Sequence, residues 1–313
     1  MQRARRWPIP RGYYALLATF MVNSGCSFLI EVDGDQCQAD SECLQSGLGT
    51  TCDQGVCSSP GKVGDGSCGS TQDCSEAETC FKGQCAPSDL VDPFVCERAQ
   101  GDPSTPVSLT MRIRDYLSQA PVSGLVLRAC GAADVLCQAP VATGEDIDGS
   151  ANVTVEVPSG FAGFLDLTAK DITETLFYFG RPLVENIDKT LLLSGPSAVD
   201  GLAALALLEG VTIDRSMGIV FAQAFDCDGK AAGKIHFEAS QDVNTFVVVN
   251  GLPSLDAQLT VRDEATNAAG AGFFNLVPGF EFFTARLGTN GPKVGEYNAQ
   301  VRSAGITSLE FHP

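Results

Sequence analysis

The spacing of cysteines constrains this chain more than any other feature of its sequence. Residues 37–85 carry one four-cysteine pattern twice, with gaps of five, eight and four residues in the first copy and five, five and four in the second. The two sets are Cys37, Cys43, Cys52 and Cys57, and then Cys68, Cys74, Cys80 and Cys85. Each copy has Gly two residues before its last cysteine, at Gly55 and Gly83, where a tight turn between strands needs positive φ. Segments this small cannot fold by apolar burial alone, so we expect two disulfide-stapled modules, 37–57 and 68–85.

The pairing within each module stays open, because four cysteines allow three connectivities. The alternative is a zinc site with four cysteine ligands in each module, but zinc sites favour close CxxC pairs, which the chain lacks. We therefore predict disulfides and no metal. Outside the modules, Cys130 and Cys137 are close enough to staple one hairpin. Cys96 and Cys227 would then tie the linker after the modules to the C-terminal domain, a pairing that we hold as a hypothesis.

Cys26 is the odd member of the thirteen cysteines and follows a secretory signal. Residues 1–11 carry four arginines and no acid, and the apolar run 12–22 is too short to cross a hydrocarbon core of ~30 Å as a helix. The ending Val22-Asn23-Ser24-Gly25-Cys26 resembles a bacterial lipobox. That resemblance implies a signal peptide over 1–25, lipidation of Cys26, a tether over 26–36 and, because Ser27 follows the cysteine, the outer membrane. The alternatives are an ordinary signal peptide cut nearby, with Cys26 free or paired, or an uncleaved anchor.

Charge narrows the range of partners. The chain has 20 Lys and Arg against 38 Asp and Glu, a formal charge of −18, and loss of the four arginines of 1–25 takes this to −22. Such a surface repels phosphate backbones, which disfavours nucleic-acid binding, so we expect no nucleic-acid partner. Disorder is disfavoured too, since 44% of residues are hydrophobic and Phe occurs 18 times. About 290 mature residues suggest two domains plus small modules.

From residue 107 onward the pattern is that of β-structure. Apolar residues alternate with polar ones over 107–114, 153–157 and 165–169, the period of a strand with one buried face. Further strands are expected at 219–225, 235–239, 245–249, 258–262, 297–302 and 306–311. Short strands separated by turn residues favour antiparallel sandwiches. We predict sandwiches over 105–190 and 215–313, with linkers over 58–67, 86–104 and 191–214.

The last linker has a helical pattern. Ser197 and Asp200 form a possible capping box for a helix over 198–209, and Gly210 can end it. Its apolar residues have helical spacing. They are Val199, Leu202, Leu205, Ala206 and Leu208. We expect the helix to pack on a sandwich; a helix that binds a partner is the alternative.

The two β regions share an order of features. Residues 119–126 match 228–235, and downstream the segments 164–169 (FLDLTA) and 280–285 (FEFFTA) each follow a proline turn, at Pro158 and Pro278. These marks resemble the repeat of the carboxypeptidase regulatory-like family, over roughly 105–190 and 215–313. The resemblance implies two antiparallel seven-stranded, transthyretin-like β-sandwiches and an accessory role without an active site. The cysteine modules are similar to Dickkopf-type and EB-type units. The predicted fold is therefore mainly β: two disulfide-rich modules, then two sandwiches with a short connecting helix.

Residues suited to catalysis are scarce. Only His236 and His312 are present, and the cysteines are expected to be oxidised, so Ser-His-Asp or Cys-His catalysis has little material. Asp146-x-Asp148-Gly149 and Asp226-x-Asp228-Gly229 place Gly too early for a calcium loop and are expected to be turns. We predict no catalytic residue and no cofactor.

Ligand classes are weighed by aromatic content. The single Trp7, with Tyr13 and Tyr14, lies in the export segment, which leaves three tyrosines for stacking sugar rings. The phenylalanines occupy strand-like positions and are expected to pack cores. The favoured prediction is a non-enzymatic, lipid-anchored envelope protein with a spacer or protein-interaction role and an unknown protein or glycan partner. The alternatives are a carbohydrate- or peptide-binding accessory module, favoured by exposed aromatic rings, and an exported protease inhibitor, favoured by a protruding rigid loop in 37–85.

Overall fold

The computed structural model describes residues 51–53, 56–58, 67–96, 102, 104–146, 148–249, 252–255, 270–288 and 290–313. The chain forms two compact units, Met1–Pro60 and Gly61–Pro313. In the first unit the description covers the hairpin of β1 (Thr51–Asp53) and β2 (Val56–Ser58), in which Cys52 lies opposite Cys57. The predicted signal peptide and tether, Cys26, Cys37 and Cys43 lie outside the described residues, as does the strand expected at 258–262.

The second cysteine module begins the unit Gly61–Pro313. Strands β3 (Glu78–Phe81) and β4 (Gln84–Pro87) form a hairpin, with a 3-10 turn at Thr71–Asp73 before it. The short helix α1 (Ser88–Val91) and a second 3-10 turn, Asp92–Phe94, follow. Gly83 has a φ of 83°, which confirms the positive φ expected at this turn. The structure pairs Cys68 with Cys80 and Cys74 with Cys85, which leaves these cysteines unavailable as zinc ligands.

Two repeats of β-structure follow, joined by one helix. The first repeat is β5 (Val107–Asp115), β6 (Val126–Cys130), β7 (Ala142–Glu145), β8 (Asn152–Val157), β9 (Phe164–Thr168), β10 (Thr175–Tyr178) and β11 (Ile187–Leu193). The connecting helix is α2 (Pro196–Leu208). The second repeat is β12 (Gly218–Ala224), β13 (Ile235–Ala239), β14 (Thr245–Val249), β15 (Leu252–Ser254), β16 (Gly270–Leu276), β17 (Gly279–Leu287), β18 (Lys293–Val301) and β19 (Ile306–Phe311). The mainly β fold is confirmed.

Six strands of each repeat pair in the same order. The first pairs β11-β5-β8 in one sheet and β10-β9-β6-β7 in the other; the second pairs β19-β12-β16-β14-β15 and β18-β17-β13. Strands β5, β6, β8, β9, β10 and β11 therefore correspond to β12, β13, β16, β17, β18 and β19. One strand differs, because β7 pairs with β6 whereas β14 pairs with β16 and so lies in the opposite sheet of its repeat. The shared topology supports the duplication that the sequence predicted.

The pairings are mixed rather than wholly antiparallel. Strand β11 is parallel to β5, β19 is parallel to β12, and β10 is parallel to β19. The last pair joins one sheet of each repeat into a central sheet of nine strands, β15-β14-β16-β12-β19-β10-β9-β6-β7. Period-2 patterns show which face of a strand is buried, but they do not show its neighbour or direction. The two sandwiches therefore share a sheet, which the sequence did not predict.

The unit is built of three layers, with the central sheet in the middle. On one face, the first cover sheet (β11-β5-β8) packs over the first repeat and α2 packs over the second, where Leu202 and Ala206 are buried against Ile219, Phe246 and Phe274. On the opposite face, the second cover sheet (β13-β17-β18) packs over Val220, Phe273 and Leu309. The second cysteine module packs into the core on that same face through Phe81, and the linker after it does so through Ala86, Val91 and Phe94.

The start of α2 differs from the sequence prediction. The helix begins at Pro196 with Gly195 as its N-cap, and no side-chain cap is present. The prediction that Ser197 and Asp200 form a capping box is therefore wrong. Proline suits the first helical position because the N–H that it lacks would have no intrahelical acceptor. Asp200 instead forms an ion pair with Arg215, just before β12.

Candidate functional site

A buried ion cluster joins the two repeats. Asp166, on β9, is fully buried, and its Oδ2 accepts hydrogen bonds from Arg128 Nη2 at 2.6 Å and Arg302 Nη1 at 3.1 Å. Arg302, in the turn between β18 and β19 of the second repeat, also pairs with Glu174 in the first. A buried carboxylate is costly unless it is paired, so these arginines neutralise Asp166 and fix the position of one repeat on the other.

Aromatic rings extend the same junction. The Tyr178 ring lies 5.3 Å from that of Phe164 and 5.4 Å from that of Tyr297, which belongs to the second repeat. The backbone N–H of Gln300 donates to the Tyr178 hydroxyl at 3.1 Å. Burial raises the pKa of Tyr178 to about 12. The hydroxyl is therefore held neutral in the folded protein over the ordinary pH range.

A second ion cluster lies on the other face of the central sheet. Lys189, in the first cover sheet, pairs with Glu310 on β19, which is buried. Its Nζ lies 5.6 Å from the Phe177 ring centre and 5.0 Å from that of Phe225, an arrangement that favours a cation. The junction of the repeats is thus bridged by charge on both faces.

The second cysteine module and the linker after it are both bonded to the second repeat. Cys96 pairs with Cys227 across 131 residues of sequence, and Lys82 Nζ donates to the carbonyl of Val294 on β18 at 2.8 Å. The tip of the β3–β4 hairpin is therefore docked on the cover sheet. Cys130 pairs with Cys137. These two disulfides are the pairs that the sequence hypothesis proposed.

The outer face of the second cover sheet carries two exposed aromatic side chains. Phe280 and Phe282 alternate along β17 on the side away from the core, and their exposed fractions are 54% and 53%. On the neighbouring strand β18, Gln300 lies opposite Phe280 and Asn298 lies opposite Phe282. We call these four residues the Phe face. The expectation that phenylalanines pack cores is wrong for this pair, because it took no account of which side of β17 the core would lie on.

A buried acid holds the Phe face in place. Glu281, between the two phenylalanines, points inward and is buried. Its Oε1 accepts hydrogen bonds from Ser240 Oγ and the backbone N–H of Gln241, both at 2.7 Å, and its Oε2 accepts one from Gln241 Nε2 at 2.8 Å. The strand that carries the two rings is therefore fastened to the connection between β13 and β14.

A second apolar patch lies on α2. The side of the helix away from the core carries Leu205 and Leu208, the latter 82% exposed, with Leu207 beside them at 64%. The helix has no charged residue between Asp200 and Glu209. A surface helix normally has a polar outer side, so this helix is apolar on both sides. We call Leu205, Leu207 and Leu208 the helix patch. Within the described part of the chain, no helix has the length and hydrophobicity needed to span a membrane.

The two histidines lie in different settings. His236, on β13, lines a pocket of about 220 Å³ at the edge of the second repeat. His312 stacks on Phe225 with ring centres 5.0 Å apart, and its Nε2 lies 3.4 Å from Glu310. His312 therefore belongs to the cluster around Lys189.

The Asp-Gly segments form turns. Asp148 Oδ1 accepts a hydrogen bond from the backbone N–H of Ser150 at 3.0 Å, and Asp226 Oδ1 accepts one from that of Lys230 at 2.8 Å. Gly149 and Gly229 have φ values of 72° and 74°, as turns of this kind require. Lys230 also pairs with Asp228. These contacts agree with the expected turn role of the segments.

Comparison with known proteins gives little further guidance. No protein-family model matches the chain, and no curated protein matches it. Among solved structures, it is similar to the Bacillus anthracis TIE protein, with 10% identity over 66% of this chain and 33% of that chain and a TM-score of 0.23. It is also similar to GBS52, a minor pilin of Streptococcus agalactiae, with 11% identity over 65% of this chain and 94% of that one and a TM-score of 0.19. The shaft pilin SpaA from Lactobacillus rhamnosus GG gives 8% identity, 66% and 96% coverage, and a TM-score of 0.20.

Scores this low carry no argument about this chain. The family resemblances of its motifs therefore stay predictions.

Proposed function

We propose that the chain is an exported, lipid-anchored protein of the cell envelope with a structural and protein-interaction role and no catalytic role. The anchor is Cys26 and the membrane is the outer membrane. The observation that carries the proposal is the joining of the parts: the cysteine module, both repeats and α2 are held together by a shared sheet, the Cys96–Cys227 disulfide and ion pairs on both faces of that sheet. A body tied together in this way holds its own surfaces at fixed places relative to one another.

The lipid anchor is tested by metabolic labelling with radioactive palmitate. We expect label in the full chain, loss of label in Cys26→Ser, and loss of the membrane-bound fraction with it. Replacing Ser27 by Ala is the matched control and should leave labelling unchanged. Labelling that persists in Cys26→Ser, or a chain that is never labelled, contradicts the anchor.

The joined body is tested by unfolding. We expect the oxidised chain to lose its β-structure and the burial of its tyrosines in one coincident transition, because the repeats share a sheet. Two separated transitions, one for each repeat, contradict a single structural unit. The Cys96→Ser/Cys227→Ser variant should unfold at lower denaturant, since a disulfide that closes a loop this long stabilises by roughly 4–5 kcal/mol in the loop-entropy model.

The alternatives differ in what they require. An inhibitory loop in the second module should protrude, but the tip of its hairpin is docked through Lys82 onto β18. Sugar binding is favoured by the exposed rings of Phe280 and Phe282 beside two amides. A protein partner is favoured more strongly, because protein covers the corresponding face of the first repeat.

A further inference from the structure

We propose that the Phe face of one molecule binds the helix patch of a second copy of this chain, so that the molecules associate head to tail. The inference rests on the proposed structural role and names the partner of its interaction surface. Both patches are on the same chain and both are uncharged.

The first step is the equivalence of sheet faces. Strands β9 and β10 of the first repeat correspond to β17 and β18 of the second, and the segments 164–169 and 280–285 match in sequence. Phe280 and Phe282 therefore occupy the places of Phe164 and Asp166, while Asn298 and Gln300 occupy those of Leu176 and Tyr178. In the first repeat all four residues are buried. Tyr178 contacts Tyr297 and Gln300 of the second repeat, and Asp166 contacts Arg302. Phe164 and Leu176 lie in the core that the second repeat completes. This face of the sandwich is thus one that protein already covers once in the same chain.

The second step is the cost of leaving the face uncovered. Phe280 and Phe282 are two residues apart on one side of β17 and about half exposed, and covering apolar surface with a partner is favourable because it removes that surface from water. Glu281 fixes the strand from below through three hydrogen bonds, so little conformational entropy is lost when the rings are covered. The strand that carries the Phe face is therefore preorganised for binding.

The third step identifies that partner by complementarity. The Phe face suits an apolar, uncharged partner surface because none of its four residues is charged. The position equivalent to Asp166, which needs arginine partners, is occupied here by Phe282. The helix patch is such a surface, with three exposed leucines and no charge between Asp200 and Glu209. A helix that lays an apolar side on an apolar surface of its partner is a common recognition mode. Elsewhere the formal charge of −18 opposes indiscriminate association of copies.

The fourth step is the geometry of the contact. The second cover sheet and α2 lie on opposite faces of the central sheet. A contact between two different patches is heterologous, and patches on opposite sides extend the assembly rather than close it into a dimer. We therefore expect short linear chains whose length grows with concentration.

The experiment is sedimentation velocity over a concentration series, with the full chain carrying Cys26→Ser so that no detergent is needed. The parent should show a mass that rises with concentration. Phe282→Lys and Leu208→Lys should each sediment as monomers, and neither loss is due to added repulsion because Lys lowers the net negative charge. Thr154→Lys, on the polar outer face of the first cover sheet, is the matched control and should assemble like the parent.

Mixing is the decisive measurement. Phe282→Lys retains its helix patch and Leu208→Lys retains its Phe face, so an equimolar mixture should form a one-to-one dimer and nothing longer. Circular dichroism and the unfolding midpoint establish that both variants are folded, and Phe282→Ser with Leu208→Ser repeats the test without a new charge.

Other outcomes overturn the proposal. A parent that stays monomeric at every concentration rules out self-association. Assembly that survives Phe282→Lys but not Leu208→Lys means that two helix patches pair with each other, and the reverse result means that two Phe faces pair. Binding of neutral oligosaccharides to the monomer, lost in Phe282→Lys, assigns the face to sugars. Each of these results leaves palmitate labelling and the single unfolding transition unchanged, so failure here is distinct from failure of the proposed function.

Discussion

The two repeats turn the same sheet face toward different surroundings. In the first repeat, Phe164 and Asp166 on β9 are buried beneath the second repeat. In the second, Phe280 and Phe282 occupy the corresponding places on β17 and are about half exposed. Within the described part of the chain, one of the two equivalent faces is thus covered and the other is not. Phe164 and Phe280 are the same residue at equivalent positions, yet only Phe164 is buried. Whether this face is buried is therefore decided by the protein that packs against it.

The largest difference should come from removing the ring at that shared position. Phe164→Ala should lower the free energy of unfolding by roughly 3–5 kcal/mol, because it leaves a cavity in a packed core. Phe280→Ala should change it by less than about 0.5 kcal/mol, as is usual for surface substitutions. Urea denaturation of the oxidised Cys26→Ser chain measures both. Equal losses in the two variants would mean that the Phe face is covered within the molecule.

The acid at the second shared position should come next. Asp166→Ala leaves the half-buried Arg128 and Arg302 without their common partner, and we expect a loss of roughly 3 kcal/mol. The matched control is Asp188→Ala, which breaks the exposed pair with Arg112 at 2.5 Å and should cost at most about 1 kcal/mol. The same denaturation experiment compares them. A loss no greater than that of the control would show that Asp166 does not hold the repeats together.

Raising the pH should lower the free energy of unfolding through Tyr178, which lies on the covered face of the first repeat. The pKa of Tyr178 is raised from its ordinary 10.0 to about 12 by burial, so the unfolded chain loses this proton first. The contribution of neutral Tyr178 to the free energy of unfolding is fully present below pH 10 and is lost as the pH rises toward 12. At about 1.4 kcal/mol per pKa unit, the loss is roughly 2–3 kcal/mol.

Ultraviolet titration of phenolate formation, together with denaturation over this pH range, measures the Tyr178 effect. Burial also raises the pKa of Tyr297, so Tyr178→Phe is needed to isolate the contribution. A pH dependence that is the same in Tyr178→Phe would contradict it.

The smallest effect should come from the acid beneath the Phe face. Glu281→Ala leaves the hydrogen-bonding groups of Ser240 and Gln241 without their acceptor, and we expect a loss of roughly 1–2 kcal/mol. Glu296→Ala, which removes an exposed partner of Lys293, is the control and should have little effect. Hydrogen exchange at residues 277–283 should rise in Glu281→Ala alone. Unchanged exchange there would show that Glu281 does not fasten the strand.

Local patterns predicted much of the secondary structure. Strands were expected at 235–239, 245–249 and 306–311 and lie there. The strand at 297–302 begins earlier, at Lys293, because its first half alternates less clearly. Gly83 adopts the positive φ that its place in the cysteine pattern required. These features depend on neighbours in sequence, which is why they could be predicted.

The candidate site was predicted far less well. The FEFFTA segment indicates a strand, and alternation places Phe280 and Phe282 on one side of it. Which side faces the core depends on the partner strands, and Glu281 points inward only because Ser240 and Gln241 supply its donors. A polar residue between phenylalanines at positions i and i+2 was the available signal. It suggested the opposite orientation, with both rings buried.

Local sequence patterns were enough to predict the disulfide modules, the alternating strands, the turns at glycine and proline, and the duplication of the β region. Only the tertiary structure decided that the repeats share one sheet through the parallel pair β10 and β19, and that one Phe-bearing face is covered while its equivalent is free. The two kinds of feature differ in the sequence distance over which their causes act. Alternation and turn chemistry act over a few residues, whereas a strand's partner and a face's cover come from residues that are distant in the chain.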